Sequence, residues 1–292
     1  MRVNFVTTGG SHLASYRLRI ASPKATLEYY GCVVTVGDYD PLADAHIFSK
    51  HWAKKDQEYR QALESPCPIY DICDDWFHRE HDQHYRRMCV ACHVVVSSDG
   101  LGEIVLKETG KVAATIPEPY ELPDGVPKEP GPNPRVLWFG HSGNLPSLAG
   151  LKIRNLFLCT NGSGKNVVPY SVENLQRCLE FCDVVIIPKV KDWKSPNRMV
   201  ESLRSGRFVI AGDIPAYRGF SQYLGDIEEG LEWLRLQGGA ITERIISGRR
   251  ELPSYSPERI GRMWFDCISD AVRNGSGVTR TSTPMEAMSK AM

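Results

Sequence analysis

The strongest constraint on this chain is an alternation of strand and helix that runs once, stops at a proline-rich segment, and starts again. The first series opens on the apolar run 2–6, RVNFV, followed by TTGGS at 7–11. Further apolar runs lie at 32–36, 45–48, 68–72 and 93–96, with helical patterns at 56–63 and 80–91. Ser22-Pro23 reads as the cap of an earlier helix that Gly31 stops. Strands apolar on both sides, alternating with helices, predict a parallel sheet covered on both faces.

Residues 117–134 then carry seven prolines. Each fixes φ and removes an amide donor, so the segment reads as an extended connection. The rhythm restarts at 135–139, RVLWF, again followed by a Gly/Ser loop, GHSGN at 140–144. Strands follow at 153–159, 184–187 and 208–211, with a helix at 171–180 between the first two. Two such halves predict paired Rossmann-like domains of α/β class facing across a central cleft. The expected limits are 1–125 for the first domain, 126–134 for the linker and 135–256 for the second. Residues 257–273 read as a helix that packs back on the first domain, and 274–292 as a loose tail.

Composition narrows the functional classes. The formal net charge is zero, from 35 basic and 35 acidic residues, which gives no support to a strongly basic nucleic-acid surface. No run of eighteen apolar residues occurs, and residues 1–20 lack the apolar core of a signal peptide. Nine cysteines, an odd count scattered through apolar contexts, suit reduced thiols and a cytoplasmic setting. The compact CVACH at 89–93 lacks the second ligand pair that structural zinc needs, and Asp38-Tyr39-Asp40 reads as a turn; no metal is expected.

The stretch 195–212, SPNRMVESLRSGRFVIAG, carries the densest chemistry. Ser195 reads as an N-cap, Pro196 as the first helical residue and Gly206 as a left-handed stop. Val200 and Leu203 face the sheet. Asn197 and Arg198 lie within helical reach of Glu201. This helix starts at the carboxyl ends of the strands, where open α/β sheets bind ligands and where free amides favour phosphate. Lys189, Lys191, Lys194 and Arg198 add positive charge there. Glu201, one turn deeper, either accepts from two sugar hydroxyls or pairs with Arg198 or Arg204.

Three segments carry a resemblance to a known family. CDVVIIPK with KSPNRMVESLRSGRFVIAGDIPAY, RVLWFGHSGN, and TTGGSHLASYRLR resemble the donor-binding core and glycine loops of GT-B glycosyltransferases, in particular the retaining nucleotide-sugar enzymes of family 4. With IYDICDDW and IPEPYELP, the likeness spans most of residues 1–220. It implies that Glu201 binds the donor ribose, that Lys189, Lys194 and Arg198 are candidates to meet the diphosphate, and that Asn197 belongs to the donor site. Gly143 and Asn144 would approach phosphate or base, and Gly9, Gly10 and Ser11 would close over the diphosphate from the opposite domain. The family often places a second glutamate eight positions before the ribose-binding one; here that position is Trp193.

The resemblance further implies transfer of a sugar from a nucleotide diphosphate donor, UDP before GDP, with retention and without a metal or other cofactor. Asp74, Asp75 and His12 are the candidates for contacts to the acceptor or reacting sugar, with capping of a turn as the competing role of the two aspartates. The acceptor stays open among a glycan, a metabolite and a DNA base, nucleic acid entering only as acceptor, and oligomeric state is unread. Two rivals also remain at this level. One is a nicotinamide-dependent sugar oxidoreductase or epimerase, although TTGGSHLASY lacks the G-x-G-x-x-G spacing. The other is a binding protein without catalysis, which Trp193 favours.

Overall fold

The computed structural model describes residues 1–7, 9–10, 13–49, 55–189, 191–220, 222–237 and 240–275. Two parallel six-stranded sheets form separate α/β lobes. The first holds β1 (Arg2–Val6), β2 (Val33–Gly37), β3 (Ala45–Ser49), β4 (Pro68–Ile72), β5 (His93–Val96) and β6 (Ala114–Thr115), in the order β2-β1-β3-β4-β5-β6. The second holds β7 (Val136–Phe139), β8 (Leu156–Thr160), β9 (Val167–Pro169), β10 (Val184–Ile187), β11 (Phe208–Ala211) and β12 (Tyr223–Leu224), in the order β12-β11-β10-β7-β8-β9. The helices are α1 (Ala14–Tyr16), α2 (Ser22–Tyr29), α3 (Lys55–Glu64), α4 (Asp82–Ala91), α5 (Asp99–Thr109), α6 (Val172–Phe181), α7 (Asn197–Arg204), α8 (Ile227–Leu236), α9 (Ile241–Gly248) and α10 (Pro257–Gly275).

The two-residue period of a strand sorts the first lobe's side chains into two cores. Val3, Phe5, Ile47, Ile69 and Val95 point to the face covered by α2 and α10. Val6, Phe48, Tyr70, Ile72, Val94 and Val96 point to the opposite face with Met88, Leu101 and Val105. Asp71, between Ile69-side and Ile72-side neighbours, therefore falls on the α2/α10 face. It is buried there with Arg19, which donates to both of its oxygens and to the carbonyl of Ile116. Ser49 Oγ adds a 3.0 Å bond, and the guanidinium lies 5.1 Å from the Trp264 ring. A buried ion pair is tolerated when its remaining bonding capacity is filled, as here.

Two local readings of the sequence differ from the structure. Ser22-Pro23 does not start a helix: α1, a π turn at Arg17–Ala21 and α2 run on as one helix. Pro23 has no amide to offer the Arg19 carbonyl, and the ladder shifts instead, with Ser22 N bonded to the Arg17 carbonyl. The turn carries Arg19 into the core and Arg17 toward the second lobe. The sequence reading also passed over α5, whose Ser98 cap accepts from Leu101 N at 3.3 Å.

Helix α10 leaves the second lobe and lies across α2 in the first. Gly261 makes this approach feasible, since a Cβ there would come within 2.2 Å of Thr26 Cβ. Trp264, fully buried, meets Phe5 edge-on at 6.2 Å. Gly261→Ala must push the helices apart and should destabilise the protein by about 1–3 kcal/mol, although alanine is the better helix former. A denaturant melt with a lower midpoint and unaltered slope is the expected result.

Candidate functional site

In the second sheet β7 lies between β8 and β10, so the order in which strands are added reverses there: β8 and β9 extend to one side, β10 to β12 to the other. Ligands of open α/β sheets bind outside the carboxyl ends at such a switch point. Two loops meet at it. Residues 140–144 follow β7, and residues 188–196 link β10 to α7. Gly140 has φ +153, so a residue with a side chain would be strained there, and a Cβ on it would lie in ordinary contact with Arg198 Nη1 at 3.6 Å. The next residues tighten into a 3₁₀ turn, Ser142–Leu148, with Gly143 N held by His141 Nδ1 at 3.0 Å and Asn144 N by the His141 carbonyl at 2.9 Å.

Helix α7 is seated by Met199, Val200 and Leu203, all fully buried against the sheet. Its first internal bond runs from Val200 N to the Pro196 carbonyl, and no side chain caps this end. The first-turn amides thus have no intrahelical acceptor and are directed beyond the strand ends. Pro196, not Ser195, is the N-cap; the Ser195 hydroxyl instead donates to Glu118. Gly206, at φ +75, stops the helix as the sequence implies. Arg198 reaches from α7 to the Phe139 carbonyl at 3.4 Å and so spans the switch point. Asn197 Nδ2 is buried there without a hydrogen-bond partner.

Two of the other cations, Lys189 and Lys194, are already paired. Lys189 meets Asp192 at 2.8 Å on the exposed rim and lines a cavity of about 380 Å³ with Asp213 and Arg218, beside β11 and β12. Lys194 crosses to the first lobe, 2.8 Å from Asp74 and stacked over the Trp193 ring at 4.4 Å. The Trp193 carbonyl accepts from Ser98 Oγ at 2.5 Å. Its Cα would be 3.0 Å from a Cβ on Gly100, and its ring packs on the α4/α5 core of the first lobe. Asp74 and Ser98 follow β4 and β5, whereas Trp193 and Lys194 follow β10. The lobes therefore meet carboxyl end to carboxyl end.

From the first lobe, Gly9 and Gly10 follow β1, which lies between β2 and β3 at that sheet's own switch point. Gly9 N bonds Thr7 Oγ1 at 3.0 Å. Ser11 and His12 lie outside the described residues. Asp75 Oδ1 accepts from Phe77 N at 3.0 Å, the turn-capping role that competes with catalysis. Among the described residues no group of three or more His, Cys, Asp or Glu is arranged to hold a metal, and no helix is long and apolar enough to cross a membrane.

The expected ribose contact, Glu201, falls on a buried carboxylate. Glu201 is only 2% exposed, and its carboxylate is occupied by the interlobe chain: Oε1 accepts from Glu121 N at 2.7 Å and Oε2 from Leu122 N at 3.2 Å. Neither Arg198 nor Arg204 forms a salt bridge with it; Arg204 instead stacks on Tyr120. Sequence reasoning also missed the clasp beside this contact. Arg17 donates to both oxygens of Glu121 and to Tyr170 Oη of the second lobe. Only the isolated arginines at 17 and 19 hinted at it.

No family model and no curated protein matches the chain. Solved structures do. The chain is similar to Anabaena Alr3699/HepE in complex with UDP-glucose, with a TM-score of 0.65 at 13% identity, covering 92% of this chain and 100% of that one. It is similar to a glycosyltransferase from Rickettsia africae ESF-5, with a TM-score of 0.62 at 11% identity, covering 94% and 98%. It also matches the GtfA/B complex, with a TM-score of 0.53 at 12% identity; there 79% of this chain is covered but it spans only 58% of the other. At such identities the likeness is one of fold. The chain has the GT-B architecture, two Rossmann-like domains facing across a central cleft.

Burial pushes the Glu201 carboxyl up from 4.5 to about 7, with the neighbouring Glu121 charge adding to the shift, while the two amides and Arg204 oppose it. Between these two values the folded protein holds a proton that the unfolded chain has released. Stability contributed by this group is therefore present below pH 4.5 and is lost as pH rises to about 7, on the order of 3 kcal/mol. Asp183, held below its usual range by Arg135 and Lys128, acts only in more acidic solution. Thermal melts from pH 5 to 8 should show a decline that is reduced in Glu201→Gln; parallel profiles would show that Glu201 does not titrate in this window.

Proposed function

We propose that this protein is a glycosyltransferase that moves a sugar from a nucleotide diphosphate donor, a UDP-sugar by preference, to an acceptor hydroxyl. One observation carries the reading: the uncapped start of α7 and Arg198 converge with the Gly140–Asn144 loop at the second lobe's switch point, opposite the first lobe's loops. The fold likeness to a protein solved with UDP-glucose supports it.

In this reading the diphosphate lies at the α7 amides. Arg198 and Asn197 meet it directly, Gly143 and Asn144 approach it from the β7 loop, and Lys189 and Lys194 supply charge at the rim. Gly9, Gly10 and Ser11 close from the first lobe. Positive charge and amides aimed at the departing diphosphate lower the barrier, the role that a metal fills in other transferases. The anomeric carbon–phosphate oxygen bond breaks as the acceptor oxygen bonds to the same face, and the leaving phosphate oxygen takes the acceptor proton. Retention follows from that geometry. Asp74 would orient the acceptor or sugar, with Lys194 setting its position, and His12 is a further candidate. Trp193 stands where the family often has a carboxylate, so the transferred sugar would be gripped differently. Free cysteines fit a reducing, cytoplasmic setting.

Calorimetric titration with UDP, GDP and NAD tests the nucleotide class, and a donor screen followed by mass spectrometry tests transfer or hydrolysis. UDP should bind saturably, and Arg198→Ala should weaken it roughly tenfold or more, the value of one charge-assisted hydrogen bond. Binding of NAD alone would overturn the reading. UDP binding with no turnover of any nucleotide sugar would instead favour a binding protein, the reading that Trp193 supports.

A further inference from the structure

The chain crosses between the lobes within a few residues. Ile116 is buried in the first lobe's core and Leu122 in the second's, each 2% exposed. The residues between them contain Pro117 and Pro119, which have no amide to bond. Several of the remaining polar groups are met by groups of both lobes. Arg19 donates to the carbonyls of Ile116 and Pro117, Ser195 donates to Glu118, and Arg17 donates to both oxygens of Glu121. Tyr120 N bonds the Tyr255 carbonyl at 3.0 Å. Within this crossing two consecutive amides, Glu121 N and Leu122 N, go to a single carboxylate, that of Glu201.

The chain beyond is pressed onto the same helix. Gly125 N bonds the Arg204 carbonyl at 2.9 Å, and Lys128 N bonds the Gly206 carbonyl at 3.0 Å. A Cβ on Gly125 would stand 2.4 Å from the Ser205 carbonyl oxygen, and one on Gly206 would stand 2.2 Å from that of Val126. These contacts leave no slack between α7 and the connection. Arg249 closes the far side by donating to the carbonyls of Leu203, Arg204 and Gly125.

We infer that Glu201 is a positioning residue for the interlobe connection: its carboxylate fastens the backbone at Glu121 and Leu122 to α7, and through α7 sets where the first lobe sits over the switch point. The same helix thus presents its first turn to the donor and its second turn to the connection. The nucleotide arm of the test rests on the function proposed above, whereas the exchange arm does not.

Amide hydrogen exchange resolved at residues 121 and 122 tests this in the full chain, with β1 and β7 amides as internal references. In Glu201→Ala both amides should exchange roughly tenfold faster or more relative to those references. Glu201→Gln keeps one acceptor oxygen and should restore protection at one of the two. If Glu201→Ala does not fold, Glu201→Gln decides alone: wild-type exchange at both amides in the folded variant overturns the inference, and loss at either supports it. In parallel, UDP and 2′-deoxy-UDP are titrated. A preference for UDP that survives in the variant supports a positioning role. Loss of that preference with unchanged exchange makes Glu201 a ribose ligand and overturns it. Should wild type bind neither nucleotide, the proposed function fails while the exchange result still decides the role of Glu201.

Discussion

A chain that passes between two lobes must satisfy its backbone amides and carbonyls away from bulk water, and the rest of this structure depends on how that is done. An unpaired buried amide costs about as much as a lost hydrogen bond. Here the crossing alternates prolines, which present no donor, with residues whose polar groups are met by Arg17 and Arg19 from one lobe and by Ser195 and Glu201 from the other. Because Arg17 and Arg19 sit on the helix that follows β1, and Glu201 on α7 with Ser195 just before it, fastening the crossing also orients both sets of loops toward the cleft.

The interlobe contacts at the mouth of the cleft follow the same logic. Ser98 caps α5 with its oxygen and uses its proton on the Trp193 carbonyl, so one hydroxyl serves both a helix end and the opposing loop. Gly100 has no side chain to hold the loop away. Lys194 and Asp74 add a partly exposed charge pair, of a kind that stabilises little but fixes register. The loop that bears Trp193 is therefore shaped by its landing place on the first lobe as much as by the helix that follows it.

Much of the fold was legible because its signals are local. The apolar runs at 2–6, 68–72, 93–96, 184–187 and 208–211 are buried on both faces and could hardly be anything but central parallel strands. The restart at 135 marked the second sheet. Helix α5 escaped notice because DGLGEIVLKET begins with two glycines within four residues, and its stability comes from Leu101 and Val105 in the core rather than from propensity. Ser22-Pro23 misled for the opposite reason, since a strong local cap signal was absorbed by a π turn inside a longer helix. At the site, the glycine loops were readable because each follows the strand at a switch point. The partners of Glu201, Ser195, Lys194 and Arg17 were not, because they lie 77 to 153 positions away along the chain and no local pattern encodes them.

A crystal structure of the full chain grown with UDP tests the central claim most directly. The expected density places the two phosphates at the start of α7, between Arg198 and residues 140–144, with the lobes still joined through Glu201 and the amides of Glu121 and Leu122. Nucleotide bound on the outer face of the second lobe, or with its ribose on the Glu201 carboxylate and those amides released, would contradict it.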